Sequence, residues 1–254
     1  MKLSILGARV IDPSSGLDQT TDLHLEAGKI VAIGAAPGGF NAVTTIDAKG
    51  LVAAPGLVDL SVALREPGYS RKGSIASETR AAAAGGVTSL CCPPRTKPVL
   101  DTSAVAELIL DRAREAGNSK VFPIGALSKG LEGEQLAELI ALRDAGCVAF
   151  GNGLEGFRST RTLCRALEYA ATFDLTVIFH SQDRDLAEGG LAHEGATASF
   201  LGLPGIPESA ETVALARDLL LVEQSGVRAH FSQLTSARGV EPVSYTHLTL
   251  PTKA

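Results

Sequence analysis

Three side chains near the ends of apolar runs have the clearest capacity for chemistry. His180 lies close to the end of the run 175–181, and a neutral imidazole can bind a metal ion. Arg65 and Arg95 each follow an apolar run, and a guanidinium can bind a carboxylate through two parallel hydrogen bonds. Arg65 could equally hold a surface loop through Glu66. A catalytic zinc ion usually has three protein ligands, so His180 alone indicates a structural histidine rather than a metal site.

The cysteines do not have the spacing of a metal site. Cys91 and Cys92 are adjacent within an apolar run, and Cys147 and Cys164 stand alone. No C-x-x-C pair is present. We therefore interpret all four as small buried apolar residues rather than as disulfide partners or zinc ligands.

The elements that must position these residues change in type along the chain. Residues 2–52 contain short β-type runs separated by turn residues, which predicts a small β module. Beyond residue 57, apolar runs at 57–64, 87–92, 120–127, 147–151, 175–181 and 227–232 alternate with helical patterns at 75–84, 103–116, 134–145, 160–173 and 208–224. Gly117, Gly146 and Gly226 stand where helix C-terminal caps are expected.

This alternation predicts a parallel sheet that is buried on both faces, which is compatible with either an open doubly wound sheet or a (β/α)₈ barrel. The first strand-to-helix junction, 64–68, lacks the glycine-rich phosphate-binding pattern of many open sheets. In a barrel, the site lies at the carboxyl ends of the strands. The connection 182–207 is long for a compact domain, so we expect a binding loop, a lid or an interface there.

Composition excludes some classes of function. The 254 residues include 23 Lys and Arg against 28 Asp and Glu, which gives a net charge of −5. We expect no binding to nucleic acid or to an anionic membrane, which calls for an excess of basic residues. Apolar residues make up 45% of the chain. The N-terminus has no signal-peptide pattern and no run reaches the roughly 18 apolar residues that span a bilayer, so we expect a cytoplasmic protein.

Several stretches resemble one enzyme family. The segment 55–68, Pro-Gly-Leu-Val-Asp-Leu-Ser-Val-Ala-Leu-Arg-Glu-Pro-Gly, is similar to the first barrel strand of the amidohydrolase superfamily, and its Leu-Arg-Glu-Pro-Gly ending is dihydroorotase-like. Further similar stretches lie at 85–88, 94–98, 180–183, 193–207 and 216–218. The resemblance to the dihydroorotase family covers residues 1–241.

The resemblance implies an α/β fold, a metal-dependent-hydrolase (TIM-like) β/α barrel. With about six β/α units the barrel is expected to be incomplete. The implied domains are a β-sandwich module at 1–54, a partial barrel at 55–241 and an atypical tail at 242–254. Pro242 is expected to stop the helix that the family continues, and the tail is interpreted as foreign sequence in a C-terminally truncated chain. His247 is therefore not taken as a ligand.

The resemblance also locates the family's zinc ligands, and most of those positions have changed. His180 remains as a remnant ligand. The degenerate ligand positions are Ser61, Ala63, Asn152, Gly153 and Gln233. His230 precedes Gln233 by three residues, so in a regular strand it is expected to face the opposite side. The substrate-site remnants are Arg65 and Arg95, the latter at a position where the family has asparagine.

The resemblance therefore implies a noncatalytic dihydroorotase-like subunit, with neither a catalytic residue nor a metal cofactor. Such chains support the assembly or activity of aspartate transcarbamoylase in pyrimidine biosynthesis, so its catalytic chain is the expected partner in a hetero-oligomer. The alternative is an active zinc-dependent cyclic amidohydrolase that acts on dihydroorotate, a hydantoin or allantoin. A third possibility is a metal-free module that senses a pyrimidine intermediate through Arg65 and Arg95.

Overall fold

The structure, a computed structural model, describes residues 1–248, with the backbone alone at 246–248. The chain forms two compact units, of which the first is Met1–Leu57 and the second begins at Val58.

The first unit is a five-stranded sheet. Its strands are β1 (Lys2–Asp12), β2 (Leu17–Glu26), β3 (Lys29–Ile33), β4 (Thr44–Asp47) and β5 (Val52–Ala53). The sheet order is β3-β2-β1-β4, with β5 also paired to β1. The hairpin pairs are antiparallel, whereas β4 and β5 run parallel to β1. A small core of Ala8, Val10, Leu23 and Ala48 holds this unit together.

The second unit alternates strands and helices, and its first strand begins at Leu57, the last residue of the first unit. Its elements are β6 (Leu57–Asp59), α1 (Ile75–Ala84), β7 (Val87–Cys92), α2 (Ser103–Ala116), β8 (Lys120–Ala126), α3 (Leu139–Asp144), β9 (Ala149–Gly151), α4 (Thr160–Thr172), β10 (Thr176–Phe179), α5 (Arg184–Ala187), β11 (Ala192–His193), α6 (Ala196–Phe200), β12 (Gly205–Ile206), α7 (Glu208–Ser225), β13 (Arg228–Phe231) and α8 (Ala237–Leu248). Six strands form one sheet in the order β13-β10-β9-β8-β7-β6.

This sheet is curled and forms half of a barrel, which confirms the predicted fold class. The pairs that join β7, β8, β9, β10 and β13 are all parallel. The main core contains fully buried side chains from strands and helices, such as Leu90, Ile109, Phe150, Leu167 and Val177. Apolar residues at helical spacing in α2 and α4 bury one face of each helix against the strands, the arrangement that parallel sheets require.

Glycine ends two of the long helices as predicted. Gly117 and Gly226 are the C-terminal caps of α2 and α7, with φ of 63° and 67°. In this left-handed conformation glycine avoids the steric cost that a Cβ would add. Strand β8 begins at Lys120, as predicted, and β13 begins at Arg228, one residue after the predicted start.

The helix predicted at 134–145 is wrong in its first half, because α3 begins only at Leu139. The preceding residues turn back onto the loop after β8. Lys129 N–H donates to the Gln135 carbonyl at 2.9 Å, and Ala137 N–H donates to the Leu127 carbonyl at 3.0 Å. These bonds to a neighbouring loop replace the bonds that a helix would have made within itself.

The long connection 182–207 has more structure than its description as a loop indicated. It contains the short helices α5 and α6 and the two-stranded pair β11 and β12. Leu191 N–H donates to the Pro204 carbonyl at 3.0 Å, and Glu194 N–H donates to the Ile206 carbonyl at 2.8 Å. The two ends of the connection are thereby tied to each other.

The expectation that Pro242 stops a helix is also wrong. Helix α8 continues through Pro242 to Leu248 and packs against α7. Proline fixes a φ that is itself helical and removes only one backbone donor, so packing against a neighbour can retain the helix. The interpretation of the tail extends to residues 249–254 and to the side chain of His247, which lie outside the described residues.

Three of the four cysteines, Cys91, Cys92 and Cys147, are buried, as predicted, and Cys164 is half-buried. All four are free thiols. Burial raises the pKa of Cys92 and of Cys147 to about 12, so both remain protonated. Within residues 1–248, none of the helices has the length and apolar character needed to cross a membrane.

Candidate functional site

The carboxyl ends of the second unit's strands surround a cavity of about 720 Å³. Seven of the eight sequence-predicted site positions line it, and Asn152 does not. The seven are Ser61, Ala63, Arg65, Arg95, Gly153, His180 and Gln233. The cavity therefore lies where a β/α barrel carries its site.

The segment after β6 contributes Ser61, Ala63 and Arg65 to the cavity. The Val62 N–H donates to the Cys91 carbonyl at 2.9 Å, which ties this segment to β7. Ser61 and Ala63 lie two residues apart and share the cavity side, as alternation along an extended chain requires.

Arg65 is not used to hold the loop through its neighbour. The Glu66 carboxylate accepts a hydrogen bond from the Ile75 N–H at 3.0 Å, at the first turn of α1. Among the described residues, Arg65 has no ion pair with Glu66 or with another carboxylate. Its guanidinium therefore remains available to the cavity.

Arg95 lies across the position of a family ligand. Gly153 has φ of +59°, and a Cβ built on it would lie 3.0 Å from Cγ and 3.1 Å from Cδ of Arg95. The Arg95 guanidinium is 3.5 Å from the Glu155 carboxylate. The stem of Arg95 thus occupies the space in which a longer side chain at position 153 would begin.

Asn152 is directed into the protein rather than into the cavity. Its Oδ1 accepts hydrogen bonds from the Ser128 N–H at 3.2 Å and from the Ser128 hydroxyl at 3.0 Å. Its Nδ2 donates to the Leu131 and Gly156 carbonyls, both at 3.4 Å. All of its hydrogen-bonding capacity serves the loops after β8 and β9, so Asn152 is a structural residue.

His180 follows β10 and has an unsatisfied ring atom. Its Nδ1 is buried and has no hydrogen-bond partner. Burial lowers the pKa of His180; hydrogen bonding from Gln182 and Gln233 and the charge of Glu211 oppose this shift, whereas the charge of Arg95 adds to it. The ring is therefore biased towards its neutral form, which carries one N–H and one acceptor.

The expectation that His230 and Gln233 face opposite sides is wrong at the end of β13. His230 and Gln233 both line the cavity, although they are three residues apart. Strand β13 ends at Phe231, and Gln233 has a φ of +58°, so the regular alternation stops between them. Ser232 fixes this exit, because its N–H and hydroxyl donate to the Phe179 carbonyl at 2.9 and 2.8 Å.

Two carboxylates on α7 hold these strand ends and were not identified from the sequence. Glu211 accepts four hydrogen bonds from Thr235 and Ser236, between 2.5 and 3.0 Å. Asp218 is 2% exposed and accepts a hydrogen bond from the Ser181 hydroxyl at 2.8 Å. The positions of Gln233 and His180 therefore depend on α7. The signal in the sequence that could have identified these two carboxylates is the occurrence of acidic residues among the apolar residues of this helix.

Sequence reasoning also missed three cations in the lining: Lys72, Arg158 and Arg184. Arg158 follows β9 and Arg184 follows β10. The rule that strand carboxyl ends meet at one site could have identified both arginines, because each lies within eight residues of such an end.

The zinc ion implied by the resemblance is not matched by the donors around this cavity. Zinc in proteins is bound by histidine, cysteine and carboxylate side chains, and serine, alanine, glycine and glutamine are not usual ligands. Within residues 1–248, no group of three or more His, Cys, Asp or Glu side chains is arranged to hold a metal ion. His180 and His230 provide two imidazoles, one fewer than a catalytic zinc ion usually has as protein ligands.

Comparison with known proteins defines the family. A sequence model described as "Dihydro-orotase-like" matches residues 49–238. The chain belongs to the dihydroorotase-like family. It is 80% identical to a Pseudomonas putida "Dihydroorotase-like protein", over 100% of this chain and 60% of that protein. It is 81% identical to a protein of the same name from Pseudomonas aeruginosa, over 96% of this chain and 58% of that protein.

This dihydroorotase-like chain is also similar to proteins that are named as enzymes. It is 46% identical to a "Dihydroorotase" from Syntrophus aciditrophicus, over 96% of this chain and 57% of that protein. The structure of an L-hydantoinase from Arthrobacter aurescens matches with a TM-score of 0.77 and 23% identity, over 97% of this chain and 56% of that one. The chain thus spans a little over half the length of these relatives, and the likeness to the hydantoinase concerns the fold.

Proposed function

We propose that this chain is a noncatalytic dihydroorotase-like subunit that supports the assembly or activity of aspartate transcarbamoylase in pyrimidine biosynthesis. The observation that carries the proposal is the donor set around the cavity. Ser61, Ala63, Gly153 and Gln233 are not usual zinc ligands, and the stem of Arg95 covers one of these positions.

The chemistry of the family requires a metal ion that activates water for attack on a cyclic amide. Replacing one ligand leaves a weakened site, whereas replacing the ligands on several strands removes the coordination shell. The cavity nevertheless retains its walls, and the core beneath it is closely packed. A fold preserved without its donors favours a role in binding or assembly.

The partner is proposed from the resemblance to noncatalytic chains that associate with aspartate transcarbamoylase. In such a hetero-oligomer the catalytic chain of the partner performs the carbamoyl transfer, in the cytoplasm. The identities of 80% and 81% to proteins named dihydroorotase-like, against 46% to a protein named dihydroorotase, support the same assignment.

The decisive experiment measures association, metal content and turnover on the same preparation. The chain is mixed with the cognate aspartate transcarbamoylase catalytic chain and separated by size-exclusion chromatography. We expect co-elution, zinc well below one ion per chain and no turnover of dihydroorotate. The Syntrophus aciditrophicus relative serves as the positive control for turnover.

The alternative function, an active zinc-dependent cyclic amidohydrolase, is favoured by one observation, the unpartnered Nδ1 of His180. Stoichiometric zinc together with turnover of dihydroorotate, a hydantoin or allantoin would establish it and refute the noncatalytic assignment. Separate elution of the two chains would remove the assembly role.

A further inference from the structure

The cavity concentrates positive charge in an acidic protein. Its lining contains five cationic side chains and two carboxylates, whereas the whole chain has a net charge of −5. The cations are Arg65, Lys72, Arg95, Arg158 and Arg184. Concave surfaces lined by charge of one sign concentrate the electric field and attract counter-ions.

Two of these cations are paired and three are free. Arg95 lies 3.5 Å from Glu155, and Arg158 lies 3.5 Å from Glu134. The other three have no carboxylate within ion-pair distance among the described residues: Arg65, Lys72 and Arg184. An unbalanced group of cations around a cavity favours the binding of an anion from solution.

The position of Arg95 connects this charge with the altered ligand position. Its stem lies against Gly153, one of the positions at which the resemblance implies a metal ligand of the family. A guanidinium next to that position supplies a permanent positive charge and several N–H donors without a metal ion. His180 adds a buried Nδ1 that has no partner within the protein.

We propose that the cavity is a metal-independent site for a phosphomonoester, with the unpaired Arg65, Lys72 and Arg184 and the neighbouring Arg95 as its contacts. A phosphomonoester dianion carries two charges on three oxygens, which suits donors that approach from different loops. A cavity of about 720 Å³ also accommodates an organic group attached to the phosphate. This site goes beyond the subunit role proposed above and does not depend on it.

Isothermal titration calorimetry with ribose 5-phosphate, in 0.15 M salt and EDTA, tests the site. Inorganic phosphate and succinate form the other two arms. We expect saturable binding of the phosphate ester, weaker binding of inorganic phosphate and no binding of succinate. Because each arginine makes charge-assisted contacts, R95Q and R184Q should each weaken binding by about tenfold.

The matched control is R114Q, which removes the same charge from an exposed i,i+3 ion pair with Asp111 on α2. Its affinity should stay within about twofold of the parent chain, because a distant surface charge is screened at this salt concentration. Circular dichroism establishes that each variant is folded, and R184Q alone carries the test if R95Q does not fold.

Three results would overturn the proposal. These are no heat with either phosphate compound in EDTA, equal binding of succinate, and equal weakening by R114Q and R184Q. Failure to associate with aspartate transcarbamoylase would leave the phosphate site unaffected, so the two proposals can fail separately.

Discussion

Replacing Asp218 by alanine should destabilise the second unit, because the Asp218 carboxylate holds Ser181, the residue that follows His180. The Asp218 carboxylate is 2% exposed and accepts from the Ser181 hydroxyl at 2.8 Å. The Arg217 guanidinium donates to it at 2.8 and 2.9 Å. Asp218→Ala leaves a buried hydroxyl without its partner and a half-buried guanidinium without its counter-ion.

The size of the effect follows from what each group loses. Removing one partner of a buried ion pair costs about 3–5 kcal/mol, and the lower end applies because the Arg217 side chain is 31% exposed and can reach water. We therefore expect a loss of about 3 kcal/mol in the free energy of unfolding, or roughly 6–12 °C in Tm for a chain of this size.

The pH dependence gives a second and independent readout. Burial raises the pKa of Asp218 above its ordinary value of 3.8, against the opposing effects of Arg217 and Ser181. The folded state then binds the proton more tightly than the unfolded state. This contribution to stability is full below pH 3.8 and is lost as the pH rises through the folded pKa. Asp218→Asn should remove that decline.

Urea unfolding at neutral pH, followed by circular dichroism, measures the alanine variant, and a pH series measures the asparagine variant. Asp111→Ala is the control, since Asp111 pairs with Arg114 on the exposed face of α2 and should cost at most about 0.5 kcal/mol. A loss for Asp218→Ala no larger than for this control would refute the reasoning.

Three further predictions concern the cavity walls. Glu211→Gln should cost about 1–2 kcal/mol in urea unfolding at neutral pH, because it weakens charge-assisted bonds to the segment after β13, and an unchanged midpoint would contradict this. Burial raises the pKa of Glu211, but those bonds lower it below 4.5 overall. The stability that Glu211 contributes is therefore present above pH 4.5 and should be lost as acid protonates it. Combining Ser61→His, Ala63→His and Gln233→His should produce zinc binding measurable by mass spectrometry, and a metal content equal to that of the parent chain would show that these positions cannot converge. Gly151→Ala should lower Tm by several degrees, because its Cβ would lie 2.6 Å from a backbone carbonyl oxygen of β10; an unchanged Tm would count against that close approach.

The sequence predicts the fold well where one local signal determines an element. Helices α1 and α2 have the predicted bounds, because helical spacing and end signals agree there. The helix expected at 134–145 fails because its first residues bond to the loop after β8, a contact between residues that only the folded sheet brings together. Similarly, the structure within 182–207 comes from the pairing of two-residue strands, too short to leave a pattern.

In the candidate site, too, the sequence predicts some features, whereas others depend on contacts that only the folded chain makes. The resemblance predicts which positions gather at the strand ends, and the structure brings Ser61, His180 and Gln233 to one cavity. Orientation is less predictable. Asn152 and Gly153 are neighbours, yet only Gly153 lines the cavity, because the Ser128 loop binds the Asn152 side chain. Gln233 shares the cavity with His230 because its own left-handed conformation interrupts the alternation after β13.

The changes at positions 95 and 153 are coupled by the space that they share. A side chain at 153 would begin 3.0 Å from the stem of Arg95, so that stem must shift by a few tenths of an ångström to admit an aspartate there. A carboxylate at 153 alone would shift the Arg95 stem, and shortening Arg95 alone would leave Gly153 without a donor. A carboxylate at 153 is therefore accommodated best when Arg95 is shortened as well, which is a physical reason for the cavity to keep the charge of Arg95 while position 153 is glycine.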